Sequence, residues 1–176
     1  MNKRTIIRSL IGLFFVGIIL LLIVISSLRL VKDTVVDSAY SISDELRTQI
    51  SLNTHGLSNS EIAEYGLKLT LKELEFSKQN DISNGSANCV GYAQFFKSVC
   101  NHAYTVNGRE VTVEHVRGFV SCFGVNLCKV AKAIVPAKFK GFVKDHDFVE
   151  VDFGDYQCYL DPLLSDVLGT TISCRK

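Results

Sequence analysis

Apolar residues follow two different patterns along this chain. From Ser9 to Leu28 twenty consecutive residues carry no charge and are dominated by Ile, Leu, Val and Phe. Beyond residue 32 the apolar positions become periodic. Residues 34–52 place them at near-helical intervals, which predicts a helix, and Asn53-Thr54-His55-Gly56 breaks it. Ser58 or Ser60 can cap a second helix, with Ile62, Leu67, Leu69, Leu71, Leu74 and Phe76 as its apolar positions. Asn80 to Asn88 is a polar, Gly-containing loop that runs into a third, largely buried helix from Cys89 to Val99. Then the period changes. Glu110 to Glu114 alternates and Val116 to Val120 continues as a strand, whereas Phe123 to Val135 fits a surface helix ending at Pro136 less clearly. His146 to Phe153, a Gly154-Asp155 turn and Tyr156 to Leu160 form a strong hairpin signal. Helices come first and strands later, which predicts an α+β fold.

Charge sharpens the division between the two patterns. Up to residue 32 the charged side chains are Lys3, Arg4, Arg8, Arg29 and Lys32, all basic. Without those five, the 19 basic residues fall to 14 against 18 acidic ones, so residues 33–176 are mildly acidic. That balance argues against a nucleic-acid partner, which calls for a basic face. The apolar content, 11 Phe and 6 Tyr, and only 2 Pro argue against disorder. A helix over the uncharged stretch spans roughly 30 Å, the thickness of a bilayer core. A cleaved signal peptide has a shorter apolar core, about 7–15 residues, and a small-residue cleavage site, which Ser26-Ser27-Leu28-Arg29 supplies poorly. A buried core helix would show a polar face. An uncleaved anchor fits best, with Lys3, Arg4 and Arg8 holding the amino terminus in the cytoplasm. The expected plan is a cytoplasmic tail (1–8), a transmembrane helix (9–31), a juxtamembrane helix or linker (32–56) and one non-cytoplasmic domain (57–176).

All six cysteines (Cys89, Cys100, Cys122, Cys128, Cys158 and Cys174) follow the apolar stretch, where a non-reducing compartment permits disulfides. Six allow 15 full pairings, and spacing does not choose among them. Cys89 differs from the rest in its setting. It follows a polar loop and opens an apolar helix, where the partial positive charge of the helix end favours a thiolate and free N–H groups can stabilise an oxyanion. Asn88 and Tyr92 are candidate donors beside the Cys89 N–H. On the hairpin, a two-residue turn makes opposed residue numbers sum to 309, with Phe148 facing Asp161 and His146 facing Leu163. His146 and Asp161 then become diagonal neighbours on one face, while Val149, Val151 and Phe153 turn to the core. Asp161 could orient the imidazole while its other nitrogen meets Cys89. A one-residue bulge would break the arrangement.

These pieces together support a resemblance. Asn88-Cys89-Val90-Gly91-Tyr92-Ala93-Gln94-Phe95-Phe96 resembles the nucleophile helix of transglutaminase-like proteins, and Val116-Arg117-Gly118-Phe119-Val120 the strand that follows it. His146-Asp147-Phe148-Val149-Glu150-Val151 resembles that family's His-Ala-Trp-x-Glu-Val strand, and Tyr159-Leu160-Asp161-Pro162 its strand ending in Asp-Pro. Phe148 stands where the family usually has Trp, and Asp147 where it has Ala. The resemblance covers roughly residues 60–165. It implies a papain-like core in which the nucleophile helix packs on an antiparallel sheet. It also implies a Cys89-His146-Asp161 triad working through a thioester, without metal or other cofactor. The substrate would be a peptide or protein, and the acyl acceptor water (protease or amidase) or an amine (transglutaminase). The alternative is a non-catalytic module of the same fold that binds or assembles with a membrane protein.

Three other features carry less. Cys100-Asn101-His102 and Cys122-x5-Cys128 match no familiar zinc spacing. His115 alternates with Val111 and Val113 and reads as structural. Asn84-Gly85-Ser86 fits a glycosylation acceptor in form only.

Overall fold

The predicted helices and strands appear in their predicted order, with a strand before the first domain helix, further short strands and a helix after the hairpin added to them. The computed structural model describes residues 14–20, 22–24, 26–134, 145–168 and 173–175. Residues 14–20, 22–24 and 26–27 are helical, and the helical ones whose exposure is described are largely exposed. The chain then enters strand β1 (Leu28–Val35) and helices α1 (Asp44–Thr54) and α2 (Asn59–Glu73). Two short strands follow, β2 (Glu75–Phe76) and β3 (Ser86–Ala87), pairing in parallel around the loop before helix α3 (Cys89–Val106). Strands β4 (Thr112–Cys122) and β5 (Val125–Asn126), helix α4 (Leu127–Ile134), strands β6 (His146–Asp152) and β7 (Gln157–Leu160), helix α5 (Pro162–Leu168) and strand β8 (Ser173–Arg175) complete the order. The main sheet runs β1-β4-β6-β7-β8, antiparallel at every pairing, with β5 folded back on β4. This is a mixed α+β fold.

The sheet has two buried faces. Val113, Val149, Val151 and Leu160 meet Tyr92, Phe95, Phe96 and Val99 of α3 and Ile62 of α2 in the larger core. Val116, Phe148 and Leu30 form a smaller cluster on the opposite face. Alternation along β4 and β6 sends neighbouring side chains to the two sides, so one pairing register fixes both cores. The local signals act at the expected places. Ser58, not Ser60, caps α2, in a reciprocal box with Glu61 whose carboxyl the Ser58 hydrogen bonds hold below its usual range. Cys158, which is disulfide-bonded, lies opposite Cys174 in the β7–β8 register.

The hairpin register is the one the sequence predicts. Val149 pairs with Leu160, Glu150 with Tyr159, Val151 with Cys158 and Asp152 with Gln157, and every pair sums to 309. Phe153 N–H closes the turn on the Tyr156 carbonyl at 3.0 Å. Gly154 has φ 92°, and among the described residues Asp155 does not share a positive φ, the pattern of a type II′ turn. Pairing stops at Leu160, however, because Pro162 starts α5. The cross-strand neighbour of His146 is therefore Gly118 of β4 rather than Leu163.

The amino-terminal plan needs correction. Residues 28–31, placed at the end of a transmembrane helix, begin β1 instead, and no helix among the described residues is long and apolar enough to cross a membrane. Ser9 and the tail 1–8 lie outside the described residues. The helix expected over 34–52 is part strand, part extended chain, and starts only at Asp44. Two forces decide this. The β1 backbone is captured by β4, a capture that the Val36 N–H extends by donating to the His115 carbonyl at 2.8 Å. Ser43 then caps α1 by accepting from the Leu46 N–H, and Asp44 and Glu45 suit the first turn. Nor is 32–56 a linker. Ile50 and Thr54 are fully buried, and β1 is an integral edge of the sheet.

Candidate functional site

Cys89 is the first residue of α3, and the chain ahead of it is organised to hold that helix end. The Asn88 side chain accepts the N–H groups of Val90 at 3.0 Å and Gly91 at 3.3 Å, and its carbonyl accepts that of Tyr92. The Asn88 N–H in turn donates to Asn80 Oδ1 at 3.2 Å. These bonds leave the Cys89 N–H as the amide of the first turn with no partner inside the helix. Asn88 is thus committed as a cap, with its oxygen turned to the helix amides. Tyr92 is no oxyanion donor. It is fully buried, and its hydroxyl donates to the Leu74 carbonyl at 3.0 Å and reaches Asp166 at 3.3 Å. Burial, reinforced by Asp166, pushes that hydroxyl up to about 12.

His146, the first residue of β6, hydrogen-bonds Asp161 through Nε2, which leaves Nδ1 as the second ring nitrogen. Asp161 itself is 2% exposed, and its other oxygen caps α5 by accepting the Leu164 N–H at 3.0 Å. Burial alone would lower the His146 pKa. The Asp161 charge and hydrogen bond outweigh that, Cys89 adds to them, and the ring is pushed up to about 10. Cys89, His146 and Asp161 are therefore brought together as the sequence predicts.

A second set of groups reaches the same sulfur. Asp147 lies on the helix-facing side of β6, and its Oδ2 is 4.0 Å from Cys89 Sγ. His146 and Asp147 point to opposite faces of the strand, yet both reach Cys89 because the tip of α3 sits over the start of β6. Asp147 Oδ1 bonds His115 Nε2 at 2.8 Å and lies 3.4 Å from Arg117 Nη2. His115 Nδ1 bonds the Ser38 hydroxyl at 2.6 Å. Burial pushes the Asp147 carboxyl up, but His115 and Arg117 more than offset it and hold it below the usual carboxylate range. Sequence reasoning took His115 as structural and Asp147 only as a departure from a pattern. The available signal was the parity of 113, 115 and 117 with 147, 149 and 151, which puts Asp147 on the core face where a charge needs a partner.

The cleft over Cys89 has a volume of about 600 Å³ and is lined by Phe76, Lys78, Arg117 and Asp145 together with Cys89, His146 and Asp147. Among the other cysteines, Cys100 is buried at the α2–α3 contact and burial pushes its thiol far up, whereas Cys122 on β4 is half-buried beside Ser27. Among the described residues no cluster of His, Cys, Asp and Glu could hold a metal ion. Comparison with protein-family models, with curated proteins and with solved structures finds no match to this chain.

Proposed function

We propose that this chain is a cysteine-dependent acyl hydrolase or acyltransferase of the transglutaminase-like type, with a papain-like core, acting on peptide or protein carboxamides. The observation that carries the reading is the convergence of a helix-opening cysteine with a buried His-Asp pair at the floor of a cleft. An imidazolium beside a sulfur is the arrangement that activates cysteine nucleophiles. Cys89 Sγ attacks the carbonyl carbon, and the Cys89 N–H stabilises the oxyanion. His146 gives its proton to the leaving nitrogen as the C–N bond breaks, leaving a thioester on Cys89. Water or an amine then attacks that thioester and loses a proton to His146. The C–S bond breaks and the thiolate returns. Asp161 holds the ring with Nδ1 toward sulfur throughout.

The same reading places the domain at a membrane surface on the non-cytoplasmic side. The uncharged run from Ser9 leads into β1 with no intervening linker, so an anchored chain would hold the sheet edge close to the bilayer. A disulfide at Cys158 suits that compartment. The test is alkylation with iodoacetamide at pH 7 in a Cys122→Ser background, with the labelled peptide mapped by mass. Rapid labelling at Cys89 that drops at least about tenfold in His146→Ala supports the triad. Labelling indifferent to His146 refutes it and favours a binding module.

A further inference from the structure

We infer that Asp147, held by His115 and Arg117, is a positioning residue that favours the protonated Cys89 thiol against the pull of His146 and so sets the pH at which the nucleophile becomes available. The inference deepens the proposed activity but rests on separate contacts. Asp147 Oδ2 is the carboxylate oxygen facing the thiol, at 4.0 Å, the reach of an S–H donor. Its other oxygen is occupied by His115 and Arg117, so the carboxylate has one free face and that face meets sulfur. The group is 4% exposed, and water does little to screen it.

The partners fix its charge state and orientation. His115 is fully buried, and among the described residues its ring meets Ser38 on one nitrogen and Asp147 on the other. An ionised carboxylate only accepts, so Nε2 carries a proton and donates to Asp147 while the Ser38 hydroxyl holds Nδ1. Arg117 Nε lies 3.7 Å from Asp145 and Nη2 reaches Asp147, so one guanidinium is shared between two carboxylates and neutralises neither fully. Among the described residues, the remaining charged groups around the sulfur are His146 with Asp161, and Lys78 on the cleft wall. An anion this close to Cys89 opposes a thiolate, while the helix end and the imidazolium favour one. Removing the Asp147 charge must therefore make the thiolate easier to form. Removing Arg117, which shields that charge, must make it harder.

The experiment is the pH profile of Cys89 alkylation by iodoacetamide, from pH 4 to 9, in the full-length Cys122→Ser protein and its Asp147→Asn and Arg117→Gln variants. Melting curves establish that each variant is folded, and Arg117 is exposed enough to tolerate replacement. In Asp147→Asn the midpoint of the acid limb is expected to fall by about one pH unit, about tenfold in rate on that limb. In Arg117→Gln it is expected to rise. A structural role alone would move both variants the same way or neither, and either result overturns the inference. If Asp147→Asn does not fold, the Arg117→Gln midpoint decides alone, and a fall or no shift overturns the inference. The outcome is separable from the proposed activity. Opposite shifts that persist with His146→Ala uphold the role of Asp147 even where the triad fails. Unmoved midpoints beside a strong His146 dependence leave the triad standing and refute the role of Asp147.

Discussion

Replacing Asp161 with Asn removes one charge, keeps the side-chain shape and leaves an oxygen to cap α5, so it isolates the electrostatic support of His146. In the native protein the ring rises from 6.5 to about 10, which at about 1.4 kcal/mol per pH unit caps its contribution to stability at about 5 kcal/mol. The pair is tightly coupled, and relaxation brings the expected figure to about 2–3 kcal/mol. The sign follows from which state holds the proton. The folded state binds the His146 proton more tightly than the unfolded chain. The stabilisation is therefore complete below pH 6.5 and is lost as pH rises through about 10. In Asp161→Asn the burial that lowers the His146 pKa is no longer offset, so the ring is expected to titrate below 6.5. Two measurements check this. NMR titration of the ring should show the midpoint fall by several pH units, and urea unfolding should show a stability gap between the two proteins that is widest near pH 6 and closes toward pH 10. A gap that widens with pH, or a ring that titrates near 6.5 in the native protein, would refute the reasoning.

Three further substitutions probe how the site is positioned. A Cβ at Gly118 would sit 1.9 Å from the Val31 carbonyl oxygen, so Gly118→Ala is expected to push β1 off β4 and cost about 2–4 kcal/mol by chemical denaturation. Because Gly118 also lies opposite His146, Cys89 labelling should become less dependent on that histidine in the same variant. Asn88→Ala removes the cap that accepts two amides and is expected to cost about 1 kcal/mol and to slow Cys89 alkylation, read by melting and by labelling rate. Tyr92→Phe leaves the buried Leu74 carbonyl without its hydroxyl partner at a cost of about 1–2 kcal/mol, and its alkylation rate should match the native one. A slowed rate there would return Tyr92 to the site.

Local chemistry made much of the fold legible. Gly154-Asp155 between two apolar runs marks a tight turn, and with a side-chain period of two that turn sets the β6–β7 register, just beyond whose paired end His146 meets Asp161. The Asn88 cap and the apolar run after Cys89 likewise announce a helix end carrying a thiol. In each case the relevant partners lie within about fifteen residues, where spacing and geometry are nearly the same thing.

What spacing does not carry is which distant segment completes a site. Residues 28–35 are apolar enough to end a helix and β-branched enough to form a strand, and pairing with β4, more than eighty residues away, decides for the strand. Tyr92 could turn to the cleft or the core, and the carbonyl of Leu74 draws its hydroxyl inward. The contacts of Asp147 show the same limit. Its partners His115 and Arg117 come from β4, with His115 backed by Ser38 on the chain before α1, and they meet only after the sheet is assembled. By itself the sequence determined the helix that Cys89 opens and the hairpin that carries His146 and Asp161, because short-range periodicity fixes them. The tertiary structure alone decided which charges surround the thiol, because a buried charge is placed by whatever the rest of the chain brings to pair with it.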